Sequence, residues 1–134
     1  MAKSYAAIIG VVLVAAGLLG FIQNPIAGEG PNGNGTEVLL ATNAVHNIVH
    51  LVTGALALYI AFALSGDALA KGVLGFGILY VIIFVAVLLS PTLFGLFDPI
   101  PANLPIHLLH AFLAITALAV GYVARGSSTS VATR

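Results

Sequence analysis

"GVLGFGILYVIIFVAVLL", residues 72–89, decides the fold class of this chain. The stretch contains no charged residue, and apart from its three glycines every side chain in it is apolar or aromatic. An α-helix needs about 20 consecutive, mainly apolar residues to cross the hydrocarbon core of a bilayer. The stretch therefore predicts a membrane-spanning helix.

Three further windows, roughly 5–22, 44–65 and 104–124, meet the same criterion. The chain is 60% hydrophobic and 6% charged, whereas about a quarter of the residues in an ordinary soluble domain are charged. We therefore predict an all-α integral membrane four-helix bundle over residues 1–125, embedded in a lipid bilayer. Residues 126–134 are predicted to form a disordered C-terminal tail.

The basic residues and most of the acidic residues lie in segments on opposite sides of the predicted membrane. The basic residues lie before helix 1, between helices 2 and 3, or after helix 4, and they are Lys3, Lys71, Arg125 and Arg134. The other two loops contain Glu29, Glu37 and Asp98, while Asp67 joins the basic side. Because segments rich in Lys and Arg stay in the cytoplasm, we expect both termini to be cytoplasmic.

Composition also argues against several classes of protein. With a net charge of zero and no basic stripe, the chain is not expected to bind nucleic acid. Without cysteine it has no disulfide, thiolate metal site or c-type haem attachment. An ion-coupled transporter is not favoured, because no charged residue lies within a predicted span. An enzyme is not favoured either, because no nucleophile–base pair stands out.

The two loops on the acidic side differ in composition. Loop 1, between helices 1 and 2, is rich in Gly, Pro and Asn and is predicted to be irregular. Loop 3, "SPTLFGLFDPIPAN" at 90–103, has four large apolar residues between its first two prolines. This pattern predicts that loop 3 folds onto the bundle or the membrane interface.

All four histidines fall in two short motifs that open helices 2 and 4, "VHNIVH" at 45–50 and "IHLLH" at 106–110. His46 and His50 are separated by about 40° around a helix axis and about 6 Å along it, so they share a face. His107 and His110, three residues apart, share a face less tightly. Because polar side chains of spanning helices point inward, we expect four imidazoles to converge at the extracytoplasmic end.

This position suits a metal ion. The partial positive charge at a helix N-terminus disfavours an imidazolium, and neutral imidazole is the form that binds copper, zinc, nickel and iron. Possible carboxylate partners, or groups that orient the rings, are Glu29, Glu37 and Asp98. Three asparagines could cap helices or hold a ring nitrogen, and they are Asn43, Asn47 and Asn103.

A weak repeat is visible at an offset of 60 residues. It aligns Asn43 with Asn103 and His50 with His110. Such a repeat would relate helices 1–2 to helices 3–4 by a twofold axis along the membrane normal. The histidines would then form one site rather than two.

The segments "VHNIVHLVTGALAL" and "PANLPIHLLHAFLAITAL" resemble a family of small prokaryotic four-helix membrane proteins with no assigned function. The most specific part is the His-Asn-x-x-His-x-x-x-Gly stretch from His46 to Gly54. The resemblance covers most of the chain and implies the four-helix fold and the prokaryotic inner membrane. It carries over His46, Asn47, His50 and His110, with Asn103 in the preceding loop. His107 departs from the pattern, because that position matches a family Asn equivalent to Asn47, and Ile106 stands where an acidic residue is expected.

Three functions remain open. The leading hypothesis is a histidine site for copper or zinc, used in metal handling or in an accessory subunit of a membrane complex. The second is a b-type haem protein with one axial histidine from helix 2 and one from helix 4. The third is a structural or interaction subunit without a cofactor, whose histidines bond to backbone carbonyls or water. Membrane-protein partners or a homo-oligomer are compatible with each, since glycine-rich faces such as 72–77 allow close helix association.

Overall fold

A computed structural model describes residues 1–132, with side chains described through residue 126. Within this part the chain forms four helices, α1 (Ala2–Leu19), α2 (Ala44–Ala63), α3 (Gly66–Leu89) and α4 (Leu104–Ala132). Two short strands in loop 1, β1 (Ala27–Gly28) and β2 (Leu40–Ala41), pair in parallel, with Ala27 opposite Leu40. The predicted all-α four-helix architecture is confirmed.

The helix boundaries differ from the predicted ones at two places. Helix α3 begins at Gly66 rather than at residue 72, because the polar segment that resembled a turn forms its first turns. An ion pair of 2.6 Å joins Lys71 to Asp67 one turn earlier, and an acidic residue near a helix N-terminus is favourable. Helix α4 is assigned through Ala132, past the predicted end at residue 124. The disordered tail predicted over residues 126–134 stays a prediction. Side chains beyond residue 126 and the last two residues lie outside the part of the chain that the structure describes.

All four helices are long and apolar enough to cross a membrane. Large apolar side chains remain exposed along their outer faces, among them Ile8, Val52, Ile82 and Ile115. A helix that is apolar on every side is suited to lipid rather than to water. These four helices indicate a multi-pass membrane protein.

Glycine lets the helices pack closely in two antiparallel hairpins, α1–α2 and α3–α4. A Cβ atom at Gly54 would approach the backbone nitrogen of Val14 to 2.8 Å, and one at Gly77 would approach that of Leu118 to 2.7 Å. Real Cβ atoms do not make contacts this short, so only glycine allows these backbones to come together. The prediction that 72–77 supplies a small-residue packing face agrees with this arrangement at Gly77.

The two hairpins bring the acidic loops to one end of the bundle, opposite the N-terminus. We call this end, formed by loop 1 (residues 20–43) and loop 3 (residues 90–103), the loop end. Ile100 of loop 3 packs with Val38 and Ala41 of loop 1, and Phe97 is buried against Val87. Phe94, by contrast, is 77% exposed. Loop 3 therefore folds onto the bundle through one set of its apolar residues and presents another to its surroundings.

Candidate metal centre

Asn43 fixes the start of α2 under loop 3. Its side-chain oxygen accepts a hydrogen bond of 2.9 Å from the backbone N–H of His46, which caps the helix. Its amide nitrogen donates to the backbone carbonyl oxygens of Asp98, at 3.2 Å, and Leu96, at 3.4 Å. One side chain thus positions the first histidine and attaches loop 3 above it.

Three histidines meet inside the loop end. His46 and His50 come from α2 and His110 comes from α4, and their exposed fractions are 1%, 1% and 2%. One ring nitrogen from each can be chosen so that all three atoms lie within 4.8 Å of one another. The ring centroid of His46 lies 4.6 Å from that of His50 and 5.8 Å from that of His110. We call these three residues the histidine cluster.

Five of the six ring nitrogens of the histidine cluster have no hydrogen-bond partner among the described residues. Both nitrogens of His46, both of His50 and Nδ1 of His110 are buried without a hydrogen bond from the described residues. Buried polar atoms are nearly always paired, and leaving one unpaired costs about 1–3 kcal/mol. This arrangement does not match histidines that are satisfied by backbone carbonyls at helix ends.

Aromatic residues enclose the histidine cluster. The ring of Phe97 stacks on that of His46, with centroids 4.2 Å apart and planes 2° from parallel. On the membrane side, the ring of Tyr80 lies 5.9 Å from that of His110, and the hydroxyls of Tyr80 and Thr53 are 2.9 Å apart. Phe97 was not predicted to be part of a site, and the one sequence feature that pointed to it is the unusual apolar content of loop 3.

His107 lies apart from the three others. It is half-buried, is not part of the group whose nitrogens converge, and its buried Nδ1 has no hydrogen-bond partner among the described residues. The reason is helical geometry, because a residue three positions before His110 is rotated by about 60° around the axis. The expectation that all four imidazoles converge is thus met by three in this structure.

The three carboxylates suggested by the sequence are exposed and are not in the histidine cluster. Glu37 accepts a hydrogen bond of 2.8 Å from Asn32, and Asp98 uses its backbone carbonyl to bind Asn43. Glu29 lines an open pocket at the end of α1, which Asn47 also lines. None of the three is placed as a direct partner of an imidazole.

Besides Asn43, the other two asparagines suggested by the sequence, Asn47 and Asn103, have different surroundings. Asn103 accepts from the N–H of Ile106 at 3.3 Å and donates to the carbonyl of Leu39 at 3.0 Å, so it caps α4 and attaches loop 1. Asn47 is 1% exposed, and both atoms of its amide group are buried without a partner among the described residues. Its amide lies so close to Gly20 that a Cβ atom there would collide with it.

The donor set fits a small transition-metal ion. Zinc–imidazole bonds of about 2.0–2.1 Å place ligand nitrogens about 3.3 Å apart in a tetrahedral site. The ligand atoms lie within 4.8 Å of one another, so the widest separation would have to close by up to about 1.5 Å around a bound ion. Three imidazoles would leave a fourth coordination position for another ligand.

The chain matches a protein-family profile over residues 3–123, nearly its whole length, and the description of that family is "Domain of unknown function (DUF4383)". No curated protein and no solved structure matches the chain significantly. The match includes most of each of the four helices and all three residues of the histidine cluster. It also agrees with the resemblance to a functionally unassigned family. The chain belongs to the DUF4383 family.

Proposed function

We propose that this protein binds one transition-metal ion, copper or zinc, through His46, His50 and His110. The observation that carries the proposal is the convergence of three buried imidazoles, five of whose six ring nitrogens are buried without a hydrogen bond from the described residues. A metal ion would satisfy one nitrogen of each ring at once. A structural role without a cofactor would need another partner for these nitrogens, because a buried polar atom that stays unpaired is costly.

The chemistry of the donors supports copper or zinc. The cluster offers nitrogen ligands only, and imidazole suits copper and zinc, whereas magnesium and calcium prefer oxygen ligands. The neighbouring rings of Phe97 and Tyr80 would limit the access of water to the ion. A mononuclear site of this kind favours a role in metal handling or in an accessory subunit of a larger membrane complex.

A b-type haem is less well supported by the geometry. Axial histidines bind from opposite faces of a porphyrin, so the macrocycle must pass between the two rings. The rings of His50 and His110 have centroids 6.2 Å apart, and His46 lies within 5.8 Å of both. The third imidazole occupies space that a macrocycle would need.

The charge pattern favours the extracytoplasmic side for the site. The loop end carries Glu29, Glu37 and Asp98, whereas the opposite end carries Lys3 and Lys71. By the positive-inside rule the loop end would face away from the cytoplasm. In a prokaryotic inner membrane the metal would then be exchanged with the outer compartment.

The test compares two variants of neighbouring histidines on α4. Detergent-purified wild-type protein, His110→Ala and His107→Ala are incubated with Zn²⁺ or Cu²⁺, desalted, and analysed for metal content and absorption. We expect one ion per chain in the wild type and in His107→Ala, and loss of the ion in His110→Ala. Metal-free wild type after reconstitution would overturn the proposal, and so would equal loss in both variants. A Soret band in the wild type would support haem instead.

A further inference from the structure

The histidine cluster is closed, so an ion needs a route to it. Its three side chains are almost completely buried, and Phe97 and Ile106 beside it are buried as well. A pocket of about 340 Å³ opens at the loop end, lined by Gly20, Phe21, Gln23, Glu29, Ala44 and Asn47 among others. We call it the vestibule. It touches the first turn of α2, through Ala44 and Asn47, and that turn also carries His46.

The lining of the vestibule is suited to cations. Glu29 contributes a carboxylate and Gln23 an amide, and none of the lining residues is basic. The pocket also lies at the C-terminal end of α1, whose partial negative charge attracts positive ions. By comparison, the larger groove between α1 and α4, about 570 Å³, is lined by apolar residues such as Leu13 and Phe112.

Asn47 lies between the vestibule and the histidines. It lines the vestibule, follows His46 directly and precedes His50 by three residues, slightly less than one helical turn. Its side chain is 1% exposed and has no protein partner for either amide atom. It is in contact with Gly20, which also lines the vestibule. An unpaired buried amide at this point can bind an ion in passage through its oxygen.

We propose that the vestibule is the entry site for the metal ion, with Glu29 attracting the ion and the Asn47 amide oxygen passing it to His50. This inference rests on the proposed metal function. The entry route predicts a particular kinetic pattern. A group on the path that does not bind the ion at its final position changes the association and dissociation rate constants by the same factor. The equilibrium dissociation constant then stays as it was.

The experiment uses the full chain in detergent and the ion that loads at equilibrium, Zn²⁺ or Cu²⁺. Stopped-flow mixing with the ion gives the association rate constant, and a chelator chase of the loaded protein gives the dissociation rate constant. The variants are Glu29→Gln and Asn47→Leu. Glu37→Gln is the matched control, because it removes the same charge from an exposed position of the same loop that does not line the vestibule.

At low ionic strength we expect Glu29→Gln to slow both rates by about threefold or more, since charge at the mouth of a cleft raises local cation concentration. Asn47→Leu is expected to slow both by a larger factor, and Glu37→Gln to leave both within twofold of wild type. The Kd should match that of the wild type in each case.

Wild-type rates in both Glu29→Gln and Asn47→Leu, with metal still bound, would overturn the entry route and leave the metal function standing. A higher Kd in Asn47→Leu through dissociation alone would make Asn47 a ligand and overturn its assignment as a relay. A wild type that binds no metal would overturn both proposals.

Discussion

Replacing His50 by leucine should stabilise the metal-free protein, the opposite of what a substitution in a packed core normally does. His50 is fully buried, and both of its ring nitrogens lack a hydrogen-bond partner among the described residues. Each buried, unpaired polar atom costs about 1–3 kcal/mol in water-soluble proteins, and polar contacts between membrane helices are worth about 0.6 kcal/mol on average. Leucine has a similar volume and no polar atom to pair. We therefore expect His50→Leu to raise the free energy of unfolding of the metal-free protein by about 1 kcal/mol.

Adding the metal should reverse this order. A ligand that binds only the folded state stabilises it by about 2.7 kcal/mol when its free concentration is 100 times Kd. The wild type gains this free energy, whereas His50→Leu has lost one of three ligands and gains little. The melting temperatures of the two proteins should therefore exchange rank between chelator and saturating metal.

Thermal unfolding in detergent, followed by circular dichroism with chelator and then with Zn²⁺ or Cu²⁺, measures both halves of this prediction. Leu113→Ala serves as the reference, because it truncates a side chain that is 1% exposed and should cost about 2–5 kcal/mol in either condition. The reasoning is refuted if His50→Leu destabilises the metal-free protein as much as Leu113→Ala does. That result would mean that the imidazole already makes favourable contacts, so that the cluster needs no ion.

Two further predictions concern the cap and the topology. Asn43→Ala removes the α2 cap and the link to loop 3, so it should lower the free energy of unfolding by about 1 kcal/mol and weaken metal binding. Unfolding and metal titration measure these effects, and an unchanged metal affinity would show that the cap does not position His46. Because the chain has no cysteine, single cysteines report its orientation. A membrane-impermeant maleimide should label Glu37→Cys in intact cells and Asp67→Cys only after lysis, and the reverse pattern would place the loop end in the cytoplasm.

The fold could be predicted from the sequence because the membrane imposes a simple rule on composition. The uncharged stretch at 72–89 is too apolar to be stable in water, and as a helix its length of about 27 Å is close to the roughly 30 Å of the hydrocarbon core. Composition predicts the ends of helices less well, because these residues lie outside the hydrocarbon core of the membrane and can be polar. Residues 66–71 are polar enough to resemble a turn, yet Asp67 and Lys71 are spaced to support a first helical turn. Composition alone does not decide between these two structures.

The site could be predicted in part: contacts between residues of one helix could be predicted, and contacts between segments far apart in the sequence were harder to predict. The shared face of His46 and His50 follows from helical periodicity. Their meeting with His110 required the repeat at an offset of 60, and the structure places His110 beside them. The stacking of Phe97 on His46 depends on how loop 3 closes over the bundle, which no periodicity encodes. The buried contact between Tyr80 and Thr53 likewise depends on the packing of α3 against α2.

The same repeat suggests why the site would hold an exchangeable ion rather than a permanent one. At the offset that pairs His50 with His110, the counterpart of His46 is Ile106, which is completely buried. Four histidines in equivalent positions would complete a tetrahedral site, and closed four-ligand zinc sites are structural. With Ile106 in the fourth place, only three protein ligands remain, and a three-ligand site keeps one position open to a passing ligand. An open position is what transfer of an ion requires, because the ion can gain a new ligand before it loses an old one. The broken symmetry therefore favours metal handling over a purely structural metal.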